Sequence, residues 1–230
     1  MSAEIIHPTT VTSCNVAIPP LGLAGSLVVP RAASGLIVFA HGSGSSRFSP
    51  RNAAVAQALN RRGFGTLLFD LLTPREEADR ANVFDILLLA ERLVDVVQWL
   101  GSQQRVIASL PIGLFGASTG AAAALVAAAR LPERIRAVVS RGGRPDLAGD
   151  ALPMVRAPTL LIVGGSDFGV IELNEAALGR LRAPKSLQIV ERATHLFPEE
   201  GAIDAVIELA LRWFESHLTS AQRPYADHRP

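Results

Sequence analysis

Ser118, Asp167 and His195 are a hydroxyl, a carboxylate and an imidazole, each placed just beyond a short apolar run of the chain. Those three groups together perform nucleophilic acyl chemistry. A serine hydroxyl is a poor nucleophile until a base takes its proton, and the base needs an acid partner to fix its tautomer and stabilise its charge. The serine sits in Gly116-Ala117-Ser118-Thr119-Gly120, between an apolar run and an alanine-rich stretch. A G-x-S-x-G turn from strand to helix strains the serine backbone and lifts the hydroxyl above a sheet, leaving little room two positions before and after. The order Ser118, Asp167, His195 is the order that this triad takes when built on alternating strands and helices. Asp146 is the rival for the acid, and Asp167 has a second reading as the cap of a helix starting near Val170.

Acyl transfer also places negative charge on an oxygen, which two backbone N–H groups stabilise. Thr119, directly after the serine, is one candidate donor; Ser43, or its neighbour Gly44, is the other. Ser43 lies in His41-Gly42-Ser43-Gly44-Ser45-Ser46, which lacks the Gly-Lys-Ser/Thr ending of a phosphate-cradling loop. His41 precedes the serine, on the wrong side of the expected order, and is assigned to ordering this loop. His7 and His217 read as surface residues.

Such groups need elements to hold them. Residues 10–18 and 23–29 are β-rich and flank Pro19-Pro20-Leu21-Gly22, an antiparallel opening. Six apolar runs follow, at 36–40, 65–69, 112–115, 135–140, 159–163 and 187–190. Runs apolar on both faces suit parallel strands covered by helices on each side. Helical spacing marks 52–62, 84–100, 119–130 and 202–217. Alternation of this kind predicts an α/β fold with a mainly parallel sheet and chemistry at the carboxyl ends of the strands. The segment 141–157 is too short for a separate lid.

The 230 residues are 49% hydrophobic, enough for one large core, so residues 1–218 read as a single domain and 219–230 as a polar tail. Lys plus Arg number 22 against 21 Asp plus Glu, without a basic block, and aromatic residues are 5%, which argues against a nucleic-acid partner. No apolar run approaches the ~18 residues of a membrane span. The single Cys14 reads as a small apolar filler in a reducing compartment, and the start of the chain shows no signal segment, so a cytoplasmic protein, monomer or homodimer, is expected. The site calls for no metal and no cofactor.

On these residues the chain resembles the α/β-hydrolase superfamily, within it the small lidless branch of dienelactone hydrolases. The segments His41–Arg47, Gly116–Gly120, Gly165-Ser166-Asp167 and Thr194-His195 carry the likeness. His41–Arg47 and Ser140–Asp146 are similar to a bacterial subgroup also found fused to phosphoribosyltransferase domains. The resemblance implies a three-layer α/β/α architecture, an eight-stranded, mostly parallel sheet with its second strand antiparallel, no cap domain, and esterase or lactonase chemistry through an acyl-serine. Dienelactone hydrolases proper use a cysteine nucleophile, where this chain has Ser118.

Arg47, Arg51, Arg141 and Arg144 follow strands, on the expected rim, and guanidinium forks suit carboxylate or phosphate. Arg47 and Arg141 are the candidate contacts for an anionic small-molecule ester or lactone, with Phe168 and Phe197 as apolar walls. The alternative pairs these arginines with Asp70, Asp146, Glu76 or Glu77. An acyltransferase or peptidase with the same triad, or a non-catalytic binding module, are the rival functions.

Overall fold

The structure, a computed structural model, describes residues 11–219; the expected tail, apart from Thr219, and His7 lie outside them. The chain opens with β1 (Val11–Ile18) and β2 (Leu23–Pro30), antiparallel over their full length, with a turn at Gly22 between them. Then come β3 (Leu36–Ala40), α1 (Pro50–Arg61) and β4 (Gly65–Phe69). Short helices α2 (Pro74–Glu77) and α3 (Arg80–Phe84) lead into α4 (Ile86–Gly101) and α5 (Arg105–Ala108). The second half runs β5 (Ile112–Ala117), α6 (Thr119–Arg130), β6 (Ile135–Arg141), a 3-10 segment Pro145–Met154, β7 (Thr159–Gly164), α7 (Phe168–Arg180), β8 (Lys185–Val190) and α8 (Ala202–Leu218).

The eight strands form one sheet in the order β1-β2-β4-β3-β5-β6-β7-β8. β2 is antiparallel to both neighbours, and every pair from β4 onward is parallel. The central strands read as unbroken apolar runs because alternate residues serve opposite layers. Leu36, Val38 and Ala40 of β3 pack with α4 and α6, whereas Ile37 and Phe39 pack with α1 and α8. On that second face Phe39 and Phe115 meet with ring centroids 5.0 Å apart. Gly113 of β5 leaves room there for Phe214; a Cβ at 113 would come within 2.7 Å of its ring.

Two expectations need correction. β8 is an edge strand, paired only with β7 and with Ile189 44% exposed, so the run 187–190 is not covered on both faces. Cys14 is exposed on the outermost strand β1 and fills no core space. Among the described residues no separate cap domain interrupts the sheet and its helices, and no helix is long and apolar enough to cross a membrane.

Candidate active site

Parallel strands all deliver their last residues to one edge of the sheet, so the loops after β3, β5, β6, β7 and β8 converge. At the end of β5 the chain turns abruptly, and Ser118 takes φ +51° and ψ −123°, a conformation that costs a non-glycine residue roughly 1–3 kcal/mol. Gly116 and Gly120 make the turn possible. A Cβ on Gly116 would lie 2.4 Å from Ala121 Cα, and one on Gly120 would lie 2.3 Å from the Ala40 carbonyl oxygen. The loop after β3 runs directly against the serine: a side chain at Gly42 would come within 2.8 Å of Ser118 Cβ.

Asp167 follows β7 and occupies the cap position of α7, but its carboxylate makes no capping bond. Instead His195 Nδ1 donates to Asp167 Oδ2 at 2.7 Å, which orients the imidazole and leaves Nε2 unbonded among the described residues. The loop carrying His195 is held on both sides. Ser166 N–H donates to the Ala193 carbonyl at 2.9 Å, and Thr194 donates through Oγ1 (2.6 Å) and N–H (3.1 Å) to Glu199 Oε1. Those bonds favour the charged carboxylate of Glu199 and lower its pKa. Asp146, the rival acid, is taken by the Arg144 fork at 2.8 and 2.9 Å.

Ser118 and His195 face one cleft of about 340 Å3, together with Gly42, Ser43, Gly44, Ser45, Ser49, Arg51, Asn52 and Arg141. That volume suits a small ligand. Thr119 opens α6, so its N–H has no partner within the helix and lies at the positive end of the helix dipole. The Ser43 N–H donates to Thr119 Oγ1 at 3.1 Å, which ties together the two segments that carry the expected oxyanion donors. His41 bridges loops instead of facing the serine: its Nε2 accepts from Leu71 N–H at 3.2 Å and its Nδ1 donates to the Gly42 carbonyl at 3.0 Å. Burial lowers its pKa, consistent with a neutral ring in that bridge.

The other candidate contacts divide. Arg141 lines the cleft, is 5% exposed, and donates to Asn52 Oδ1 at 3.2 Å. Arg47 is committed to Asp70 and stacks on Phe48, with 4.1 Å from guanidinium to ring centroid. Phe197 is buried beneath Arg141 and Gly142, and Phe168 is 73% exposed outside the cleft wall. Sequence reading gave Asn52 only to a helix. Its inward, polar position at the start of α1 follows from Ser49 capping that helix, Oγ accepting from Asn52 N–H at 3.4 Å.

The family model described as alpha/beta hydrolase fold matches residues 35–183, which span β3 to just past α7. The chain belongs to the α/β-hydrolase family. A dienelactone hydrolase of known structure from Anabaena variabilis is 53% identical to this hydrolase, with a TM-score of 0.86 over 92% of this chain and 100% of that one. Two proteins of Mycobacterium tuberculosis, provisionally named phosphoribosyl transferases, are 60% identical over 199 residues. The match takes in 86% of this hydrolase and 45% of each relative, so the chain spans less than half the length of those proteins. An α/β serine hydrolase without a lid from Xanthomonas campestris, at 19% identity and a TM-score of 0.73 over 96% of this chain and 100% of that one, shares the fold. The expected resemblance and architecture therefore hold: a dienelactone-hydrolase-like member with an eight-stranded, mostly parallel sheet.

Proposed function

We propose that this hydrolase is a serine esterase or lactonase that opens a small carboxylic ester through an acyl-serine intermediate. The observation that carries the reading is the strained Ser118 sharing a cleft with the Asp167-oriented His195. His195 Nε2 takes the Ser118 proton as the oxygen attacks the acyl carbonyl, and Asp167 stabilises the imidazolium that results. The N–H of Thr119 and that of Ser43 or Gly44 hold the oxyanion, the Ser43 N–H exchanging its bond to Thr119 Oγ1 for one to the substrate oxygen. His195 then protonates the leaving alkoxide, and water activated by the same imidazole releases the acyl group.

A cleft of about 340 Å3 without a cap favours short acyl groups over long lipids. The lone, exposed Cys14 suits a reducing cytoplasm. The test is covalent labelling by a fluorophosphonate probe, with Ser118→Ala as control, followed by product analysis on short p-nitrophenyl esters and lactones with and without added acyl acceptors. Labelling of the native chain and none of the variant is expected. Equal labelling of both, or undiminished ester turnover by Ser118→Ala, would overturn the assignment, and transfer to the acceptors in place of water would make the enzyme an acyltransferase.

A further inference from the structure

Strain is not confined to the serine. Among the described residues four non-glycine positions take a positive φ, and beside Ala32 these are Ser118 at +51°, Arg192 at +61° and Phe197 at +56°. Arg192 and Phe197 bracket His195, so the turn of the proposed nucleophile and the loop of the proposed base both hold backbone that disfavours ordinary side chains. Such backbone persists only where the surroundings over-determine it.

The ends of the His195 loop have that support. Ala193 is fully buried and accepts from Ser166 N–H at 2.9 Å, a Cβ on Gly164 would lie 2.3 Å from its carbonyl oxygen, and Phe197 is buried in the core. The middle has no such anchor. Thr194 and Leu196 are exposed, and the His195 side chain is 38% exposed. Besides the imidazole bond to Asp167 and a turn bond from Phe197 N–H to the Thr194 carbonyl, residues 194–196 have one polar tie among the described residues, the pair of bonds from Thr194 to Glu199 Oε1. A charged acceptor strengthens both bonds. Glu199 is itself fixed at the entry to α8, where its carbonyl accepts from Ala202 N–H at 3.0 Å, and Val206, Ala210 and Phe214 root that helix in the core.

We propose that Glu199 is a positioning residue, whose carboxylate clamps Thr194 and thereby holds the His195 imidazole on Asp167 and toward Ser118. The effect on turnover rests on the serine-hydrolase reading; the effect on the His195–Asp167 bond does not. Proton transfer tolerates little displacement, and a shift of about 1 Å can cost on the order of 10²-fold in rate. Glu199 lies outside the cleft lining, so its loss acts on kcat and not on KM. Glutamine offers an acceptor oxygen at the same reach, whereas alanine offers none, and Thr194→Val removes the Oγ1 bond from the other side.

The test compares native chain, Glu199→Ala, Glu199→Gln and Thr194→Val by two readouts. On short p-nitrophenyl esters Glu199→Ala should lower kcat by about tenfold to 10²-fold with KM within about twofold, and Thr194→Val should lower it by a smaller factor. Glu199→Gln should stay within about threefold of the native kcat, since its neutral oxygen keeps the geometry with weaker bonds. The second readout is nitrogen NMR of the His195 ring at alkaline pH, assigned with His195→Gln, whose shifts report which ring nitrogen carries the proton. The native chain and Glu199→Gln should hold that proton on Nδ1, facing Asp167, and Glu199→Ala should divide it between the two nitrogens. A Glu199 that served stability alone would lower Tm and leave the kcat of the folded chain and its tautomer as they are. A tautomer that stays fixed in Glu199→Ala, or a glutamine variant as impaired as the alanine one, would overturn the clamp. Fluorophosphonate labelling separates this failure from that of the function. A labelled native chain whose Glu199→Ala variant keeps full kcat removes the clamp alone, whereas an unlabelled native chain removes the serine-hydrolase reading and leaves the tautomer to decide the clamp.

Discussion

Two aspartates are candidates for the acid partner of the proposed base, and their neighbours differ. Asp167 Oδ2 accepts from His195 Nδ1 at 2.7 Å, while both oxygens of Asp146 accept from the Arg144 fork. Asp167→Asn should therefore lower kcat on short esters by about 10⁴-fold through loss of the correct imidazole tautomer. Asp146→Asn should change it by less than about tenfold, since only a half-exposed ion pair is lost. Steady-state kinetics on the two variants checks the assignment, and a reversed order would refute it. His41 makes a different prediction. Its folded pKa is lowered by burial, so below the ordinary histidine value the unfolded chain binds a proton that the folded chain does not. The stability it contributes is present above about pH 6.5 and is lost as pH falls toward the lowered folded value. His217 is lowered by burial too and acts with the same sign, but it is common to both proteins when native chain and His41→Gln are compared. The denaturant midpoint of the native chain should fall more steeply between pH 7.5 and 5.5 than that of His41→Gln. Parallel curves would mean that His41 is not kept neutral by the fold.

At the scale of elements, glycine marks where backbones touch. Gly120 lies in the first turn of α6, where a Cβ would meet the carbonyl oxygens of Ala40 at 2.3 Å and His41 at 2.5 Å. Backbone cannot yield as a flexible side chain does, so Gly120→Ala should cost about 3 kcal/mol and lower Tm by roughly 6–12 °C in a chain of this size. Gly179, near the end of α7, has nothing within 4 Å of its Cβ position. There Gly179→Ala should stabilise by roughly 0.4–1 kcal/mol, because alanine reduces the entropy of the unfolded chain. Calorimetric melting of both variants checks the pair. The eight strands and α1, α4, α6 and α8 were legible from apolar periodicity, most of them to within two residues. Helix α7 was anticipated only as a start near Val170 and not from periodicity, because only Asn174 and Ala177 of its thirteen residues are buried and its pattern carries little contrast. The exposure of β8 was hidden as well: Leu187 and Ile189 read as core until the strand order puts β8 at the edge. Ser118, Asp167 and His195 could be proposed from motif and chain order, and the structure brings Ser118 and His195 to one cleft with Asp167 bonded to His195. Which arginines would keep a carboxylate and which would not depends on loop packing, and the spacing of residues holds no trace of it.

For the whole molecule, the sheet separates two apolar layers that meet only through alternating residues of the same strands. α4 and α6 cover one face, α1 and α8 the other. Because Val38 and Phe39 are consecutive yet serve opposite layers, loss of order in one layer removes the strand geometry on which the other depends. Unfolding should then be a single transition. The chain places one tryptophan on each side, Trp99 in α4 and Trp213 in α8, so each layer has its own fluorescent reporter once the other is changed to phenylalanine. Leu93→Ala, fully buried on the α4 side, should cost about 2–5 kcal/mol, and Phe214→Ala, fully buried on the α8 side, about 3–5 kcal/mol. Each truncation is expected to shift both reporters by the same amount, with coincident denaturation curves and little change in slope. If Leu93→Ala moved the Trp99 transition and left that of Trp213 in place, the layers would be separate folding units. The strained serine would then be held by a half-molecule, since α6 packs on the α4 side while the His195 loop packs, through Ala193 and Phe197, on the other. A single transition, in contrast, means that the three side chains of the proposed triad are lost together, and the esterase activity proposed for them should disappear along the same curve as both fluorescence signals.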